Sequence, residues 1–252
     1  MSKPNDPKVG DSNNPSRMWS LFPSHIIECL KNLESIEMRS CDAMEVIFQL
    51  EELNVEESHM VPVLDQLRNL NLSDLPKLMH IWKKGPERIL GFGNMRFLNV
   101  DKCNNLTYLF LPSIAKLLVM LEEIRVTRCG KIEEILARAR EEEEEKEISF
   151  YKVKSILLKD LPKLKCFCNE VNAFEWPSLK EITVIRCPAL STFVPSDLNT
   201  PKLEGVYDQI EWDQRTMFPW KGDLNATIQH MFKGEVWLIL TTSKNLQIFQ
   251  FY

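Results

Sequence analysis

The chain has 252 residues, of which 44% are apolar and 27% charged, and its formal net charge is −5. A chain of this length and composition can bury one large core or two modest ones, which excludes a largely disordered protein. The net negative charge, and the lack of interleaved basic and aromatic residues, argue against nucleic-acid binding.

Residues 1–20 are polar and lack the apolar core of a secretion signal. The longest apolar runs, such as WLIL from Trp237, are much shorter than the roughly 20 residues that span a bilayer. The seven cysteines are odd in number and scattered, which is typical of reduced thiols rather than a secreted disulfide framework. We therefore expect a flexible polar leader over 1–20, no membrane span and a cytoplasmic location.

An apolar frame begins at residue 33 and recurs at residues 67, 95, 121, 153 and 179. Its positions 1, 4, 6, 9, 12 and 15 hold apolar residues or cysteine, as in Leu121, Ile124, Val126, Cys129, Ile132 and Ile135. This is the leucine-rich-repeat pattern, in which positions 4 and 6 point inward from a short strand. We predict an α/β leucine-rich-repeat solenoid over 21–206, with a curved parallel sheet on its concave side and short helices and irregular spacers on its convex side.

Two spacers between the strands have helical periodicity. One contains Ile114, Leu117 and Leu118, with Ser113 as its predicted N-cap, and the other has Ile26, Ile27 and Leu30 before the first copy. A third spacer contains the run REEEEEKE, which is typical of a solvated loop or a charged helical insertion; a docking site for a basic partner is the alternative. Residues 207–252 are predicted to form a degenerate C-terminal cap and an atypical tail.

Position 9 of the frame alternates between cysteine and leucine. Cysteine occupies it at residues 41, 103, 129 and 187, and leucine at residues 75 and 161. This interchange indicates a buried, compact, mostly apolar position. The alternative is that these cysteines bind zinc, but the chain has no C-x2-C pair. A disulfide between Cys103 and Cys129 fits the distance between stacked strands, although a reducing compartment disfavours it.

Motifs for catalysis and cofactor binding are missing from the sequence. The histidines His25, His59, His80 and His230 are isolated from one another and from cysteine at metal-ligand spacing. The segment GFGNMR from Gly91 lacks the third glycine of a dinucleotide loop, and neither a P-loop nor a nucleophile elbow occurs. We therefore predict no enzyme activity, no catalytic residue, no cofactor and no metal.

Four stretches carry a resemblance to a known family: FGNMRFLNVDKCNNLTYLFLPSIAKLLVMLEEIRVTRCGKIEEIL, LKDLPKLKCFC, FEWPSLKEITVIRCPALSTF and KGDLNATIQHMF. The chain resembles, over residues 20 to 232, the C-terminal leucine-rich-repeat region of plant nucleotide-binding disease-resistance proteins of the coiled-coil class. The resemblance implies an intracellular immune receptor whose repeats bind a pathogen effector, a guarded host protein or a nucleotide-binding module. Because the sequence contains neither the coiled coil nor the nucleotide-binding switch, we expect a truncated or fragmentary relative. A substrate-binding arm of a ubiquitin ligase and a non-functional gene fragment remain as alternatives.

The sequence also predicts where a partner binds. Positions 3, 5 and 7 of each strand point away from the core into the concave face, and most of them are polar. An apolar patch flanked by cations interrupts this pattern, as in many protein-binding hot spots. The predicted partner-binding residues are Phe97, Arg125, Leu157, Lys159, Ile185 and Arg186. The alternative is that these apolar residues do not bind a partner, because isolated apolar residues are common on sheet faces, and that the spacers or another domain cover them.

Overall fold

A computed structural model of the chain describes residues 20–22, 30, 32–50, 62–83, 90–137, 147–169, 173–195, 198–211, 214–232, 236–242 and 245–251. In chain order, its strands and helices are β1 (Ser20–Phe22), β2 (Ser35–Arg39), β3 (Val46–Gln49), β4 (Pro62–Val63), β5 (Asn69–Ser73), β6 (His80–Lys83), β7 (Leu90–Gly91), β8 (Phe97–Asp101), α1 (Pro112–Ala115), β9 (Glu123–Thr127), β10 (Glu147–Ser149), β11 (Ser155–Lys159), β12 (Ala173–Glu175), β13 (Glu181–Ile185), β14 (Leu198–Asn199), β15 (Gly205–Glu211), β16 (Gln214–Met217), α2 (Leu224–Phe232), β17 (Val236–Thr242) and β18 (Asn245–Phe251). Eight strands form one sheet in the order β16-β15-β13-β11-β9-β8-β5-β2.

Positions 3 to 7 of each copy of the frame form a five-residue strand of this sheet: β2, β5, β8, β9, β11 and β13. Side chains at positions 4 and 6 face the core because side chains alternate along a strand, and Leu98 and Val100 are at most 1% exposed. These six strands pair in parallel and in register, so equivalent residues of successive copies are neighbours. The predicted leucine-rich-repeat solenoid with its parallel sheet is confirmed.

The residue that follows each strand, at position 8, adopts a left-handed backbone conformation. The φ angle there lies between 50° and 56° at Ser40, Asp74, Lys102, Arg128, Asp160 and Arg186. Few residues other than glycine adopt this conformation, because the side chain crowds the backbone. A backbone hydrogen bond to the next copy accompanies it, as from the Lys102 N–H to the Thr127 carbonyl at 3.0 Å. This turn, which recurs in all six copies, directs the side chain at position 9 from the sheet into the core.

A second buried column lies at position 16, which the sequence frame did not include. Its side chains are at most 2% exposed: Phe48, Trp82, Phe110, Leu136, Cys168 and Val194. Short parallel pairings hold this column, in the sheet β1-β3-β6 and in the bridge from Phe110 to Leu136. Rings of successive copies pack together, with centroids 6.1 Å apart for Phe48 and Trp82 and 5.7 Å apart for Trp82 and Phe110. We call Phe48, Trp82 and Phe110 the aromatic spine.

The described spacers contain less helix than predicted. Only α1, four residues long, forms before β9, although Ile114 and Leu118 still face the core. The prediction that Ser113 is the N-cap is wrong, because Leu111 occupies the N-cap and Pro112 starts the helix. Proline suits this first helical position, where its missing N–H would have no partner. The predicted helix around Ile26 and Ile27, and residues 138–146 of the acidic run, lie outside the described residues.

A seventh strand extends the parallel sheet beyond the six predicted copies. In β15, Gly205 to Tyr207 pair in parallel with β13, and β16 then pairs antiparallel with β15 and closes this end of the sheet. A Cβ at position 205 would meet the Met217 methyl group and lie 3.1 Å from the Tyr207 ring, so a larger residue would require these side chains to move. The predicted boundaries at residues 20 and 206 stay predictions.

Helix α2 covers the C-terminal end of the buried column. Its Asn225 side chain accepts hydrogen bonds from the N–H groups of Phe193 (2.7 Å) and Val194 (3.3 Å) and donates one to the Val194 carbonyl (2.7 Å). In the preceding copies, backbone groups of the next copy make such bonds, as from the Phe167 N–H to the Phe193 carbonyl at 2.8 Å. The Asn225 amide therefore takes the place of the peptide groups that a further copy would present.

Replacing Asn225 with leucine is expected to lower the free energy of unfolding by about 2–3 kcal/mol, because backbone groups of Phe193 and Val194 lose their partners. Urea denaturation followed by tryptophan fluorescence measures the change. The matched control is Gln229→Leu, on the same helix, where the side chain is half-buried. Equal stabilities for the two variants would contradict the capping role of Asn225.

Candidate functional site

The concave face consists of the side chains at positions 3, 5 and 7 of the parallel strands. Because the strands are in register, these side chains form three rows across the sheet. The middle row is Glu37, Asn71, Asn99, Arg125, Leu157, Thr183 and Tyr207. The face is therefore a continuous surface to which each copy contributes three side chains.

Several polar side chains of the concave face pair with one another. The Asn99 Nδ2 donates to the Asn71 Oδ1 at 2.7 Å, and Arg125 pairs with Glu123 of the same strand. The Arg125 side chain remains 55% exposed. Exposed pairs of this kind contribute little to stability. Arg125 can therefore exchange Glu123 for a carboxylate of a bound protein at little cost to the fold.

Asp101 anchors one edge of the concave face, where it is 9% exposed. It accepts hydrogen bonds from the Thr127 Oγ1 at 2.6 Å and from two nitrogens of Arg128 at 2.8 and 2.6 Å. Burial alone would raise the pKa of Asp101, but the hydrogen bonds from Arg128 and Thr127 hold that pKa below its ordinary value of 3.8. Asp101 is therefore ionised at neutral pH and holds two neighbouring copies together.

Three of the predicted binding residues are accessible and lie close together. Phe97 is 43% exposed, Arg125 is exposed and Leu157 is half-buried. Arg125 and Leu157 are directly paired across β9 and β11. Phe97 lies one strand away, beside Glu123. We call Phe97, Arg125 and Leu157 the concave patch.

The other three predicted residues lie at positions 7 and 8 of their copies. Ile185 is only 4% exposed, so the prediction that it adds exposed apolar surface is wrong. Ile185 ends β13, which lies beside the longer strand β15 in the sheet rather than at an open edge. Arg186 pairs with both carboxylate oxygens of Asp160, and this hydrogen bonding raises the pKa of Arg186. Lys159 is half-buried in the position-7 row.

Sequence reasoning missed Tyr207, which continues the middle row beside Thr183 and is half-buried. The available signal was Leu203 and Val206, which fill positions 1 and 4 of a seventh copy. This copy then departs from the frame, because Asp208 stands at the apolar position 6.

Three of the four position-9 cysteines belong to the core, whereas Cys41 is only half-buried, so the prediction of a buried position is wrong for the first copy. Cys103, Cys129 and Cys187 are free thiols with 0% exposure. Cys129 Sγ accepts a hydrogen bond from the Cys103 N–H at 3.4 Å and donates to the Thr127 carbonyl at 3.2 Å. Hydrogen bonding with Cys103 and burial raise the pKa of Cys129, and burial raises the pKa of Cys187 to about 12. The Cys129 and Cys187 thiols therefore stay protonated and unreactive.

The described residues contain no metal-binding cluster. Among them, no three or more histidine, cysteine, aspartate or glutamate side chains are grouped so that they could hold a metal ion. The predicted absence of metal, cofactor and catalytic residues stays a prediction. Within the same residues, no helix has the length and apolarity needed to cross a membrane.

Comparison with known proteins agrees with the repeat pattern. Residues 14–130 match a family described as plant disease resistance protein RPS2-like, leucine-rich repeats. This part of the chain is therefore similar to the leucine-rich repeats of plant disease-resistance proteins. It is also 31% identical over 150 residues to Putative disease resistance protein At4g19050 of Arabidopsis thaliana. That similarity covers 60% of this chain and 11% of the relative. No solved structure matches the chain.

Proposed function

We propose that this leucine-rich-repeat region is the protein-recognition module of a plant intracellular immune receptor. Its concave face binds a pathogen effector, a guarded host protein or a nucleotide-binding module, and it acts in the cytoplasm. The match to leucine-rich repeats of plant disease-resistance proteins favours this function over the substrate-binding arm of a ubiquitin ligase. Leucine-rich-repeat regions of this kind are typically non-catalytic.

The observation that carries the proposal is the concave patch. Phe97 exposes 43% of its surface on a sheet face that is otherwise largely polar, and burying a phenylalanine contributes about 1.5–3 kcal/mol. Arg125 and Leu157 lie side by side on adjacent strands. Arginine and aromatic residues are typical binding hot spots when a partner excludes water from them. A hydrogen-bonded sheet holds these residues in place before binding, which lowers the entropic cost of association.

Photocrosslinking identifies the partner and tests the position of the site. A photoreactive amino acid replaces Asn99, which lies beside Arg125 on the concave face, and, in a matched control, the exposed Lys77 in a turn beyond β5. Each protein is incubated with extract from pathogen-challenged leaves, and crosslinked proteins are identified by mass spectrometry. We expect a specific crosslink from position 99. A specific crosslink from position 77 alone would contradict the proposal.

Arg125→Glu combined with Leu157→Asp is expected to weaken binding of the crosslinked partner by about a hundredfold or more, since truncated hot-spot residues each cost about 2 kcal/mol or more. The circular-dichroism spectrum and the melting temperature should stay close to those of the parent, because neither residue is in the core. The control is Lys77→Glu combined with Lys163→Asp, at two exposed turn positions. Unchanged affinity in a correctly folded double variant would place the site elsewhere.

A further inference from the structure

Two tight turns at the edge where the strands begin expose apolar side chains. The turn before β9 is closed by a hydrogen bond from the Leu121 N–H to the Leu118 carbonyl at 3.1 Å. Its two central residues are Val119, which is 47% exposed, and the half-buried Met120. In the turn before β11, the equivalent residues are Tyr151, 51% exposed, and the exposed Lys152. We call Val119, Met120, Tyr151 and Lys152 the rim patch.

The conformational requirements of the turn do not explain why valine and tyrosine occupy positions 119 and 151. At the same position, the other copies have Lys31, Asp65, Gly93, Pro177 and Pro201. Proline, glycine and aspartate are favoured in tight turns for conformational reasons. Valine and tyrosine have no such advantage and gain nothing from solvent exposure. They are also neighbours, because the strands that follow, β9 and β11, are paired and lie about 4.8 Å apart.

The rim patch lies in a positively charged part of an acidic chain. In the four copies that begin at residues 121, 153, 179 and 203, we consider the two turn residues and the residue at position 2. Together these residues include four lysines and two glutamates, which gives a net charge of +2, whereas the net charge of the whole chain is −5. The lysines, all exposed, are residues 152, 154, 180 and 202. Lys154 pairs with Glu122 at 2.5 Å, and Lys180 lies 3.9 Å from Glu204. Among the described residues, neither Lys152 nor Lys202 forms an ion pair.

We propose that the rim patch binds an acidic segment of a partner protein. An apolar side chain of the segment packs between Val119 and Tyr151, and its carboxylates lie against Lys152 and the lysines of the following copies. Four copies span about 15 Å along the sheet edge, which matches an extended segment of about four or five residues. The rim patch lies outside the three rows of the concave face, so this site is independent of the proposed function.

The charge and size of the patch favour a protein over a membrane. Electrostatic binding to anionic lipid requires clusters of about four to eight lysine or arginine residues without neighbouring acids. Here Glu122 and Glu204 offset two of the four lysines. A peptide can place its carboxylates beside Lys152 and Lys202. Vesicle binding is therefore included in the test as a competing outcome.

The test selects peptides from a phage-displayed random dodecapeptide library on the whole chain, with counter-selection on the Val119→Ser, Tyr151→Ser variant. We expect surviving peptides that are enriched in aspartate or glutamate together with an aliphatic or aromatic residue. Recovery of no peptide after counter-selection, or of peptides without acidic enrichment, would overturn the proposal.

A fluorescein-labelled copy of the selected peptide is then titrated by fluorescence anisotropy. Val119→Ser with Tyr151→Ser, and Lys152→Glu with Lys202→Glu, should each weaken binding about tenfold or more, and added salt should weaken binding to the parent. Gln66→Ser, in the equivalent turn before β5, is the matched control and should leave the affinity unchanged. Peptide binding that is insensitive to both double variants, or binding of the chain to phosphatidylserine vesicles that requires Tyr151, would refute the assignment.

Discussion

Replacing Cys129 with aspartate is expected to leave the chain largely unfolded at neutral pH. The Cys129 side chain has 0% exposure, and its sulfur lies beside the Cys103 N–H and the Thr127 carbonyl. Full burial raises a carboxyl pKa by up to about 3–5 units, and each unit corresponds to about 1.4 kcal/mol of stability lost at high pH. The expected loss of about 4 kcal/mol or more is comparable with the whole stability of many domains, about 5–15 kcal/mol.

Two further variants separate the effect of charge from the effect of shape at position 129. Cys129→Asn introduces a polar group of similar size without a charge, and Cys129→Ala should cost only about 1–2 kcal/mol through a small cavity. The deficit of the aspartate variant relative to the asparagine variant should shrink as the pH falls from 7.5 towards 5. The reason is that the folded state, with its raised carboxyl pKa, binds the proton more tightly than the unfolded state.

Urea unfolding at both pH values measures these differences. If Cys129→Asp is as stable as Cys129→Ala at pH 7.5, position 129 is not a closed core position. Rapid modification of Cys129 by a thiol reagent in the folded parent would lead to the same conclusion, because a buried, protonated thiol reacts slowly.

The pattern of apolar residues was sufficient to predict the parallel sheet and its register. Alternation along a strand fixes which side chains face the core, and repetition fixes which are neighbours; Leu157 and Arg125 are therefore adjacent, as expected. The left-handed turn at position 8 was not predictable, because residues as different as Ser40 and Arg128 occupy it. The backbone hydrogen bonds to the next copy that accompany it become visible only in the folded chain.

Exposure within the candidate site was harder to predict than position. Ile185 occupies a concave-face position but is buried, and its strand lies beside β15, where the apolar frame breaks down. Phe97 also occupies such a position and remains exposed. The rim patch was missed because its turn residues lie outside the frame. An apolar residue in a turn, such as Val119, gives no signal of its exposure until the chain is folded.

The aromatic spine contributes to stability in a way that a single substitution can measure. Trp82 is 1% exposed, and its ring packs against Phe48, Phe92 and Phe110 at centroid distances of 6.1, 6.0 and 5.7 Å. Trp82→Ala should lower the free energy of unfolding by about 3–5 kcal/mol, because the cavity removes contacts with several neighbouring copies at once. Urea denaturation of the whole chain measures the change.

The matched control is Trp82→Phe, which keeps an aromatic ring in the spine. Within the described part of the chain, the indole Nε1 of Trp82 is buried and has no hydrogen-bond partner. Removing this desolvated donor offsets part of the lost packing, so the phenylalanine variant should cost about 1–2 kcal/mol. Equal losses for phenylalanine and alanine would indicate that the indole N–H has a partner.

The region that Trp82→Ala destabilises gives a second test, because each copy of a solenoid contacts only its neighbours. In Trp82→Ala, amide hydrogen exchange should accelerate most in β5 and β8, whose copies contribute Trp82 and Phe110 to the spine, and least in the distant strand β13. The concave patch lies between these regions, on β8, β9 and β11. The Trp82→Ala substitution should therefore increase the mobility of Phe97 more than that of Leu157. The increased mobility of Phe97 should lower the affinity for the partner. Uniform acceleration across all strands would show instead that the solenoid unfolds as a single cooperative unit.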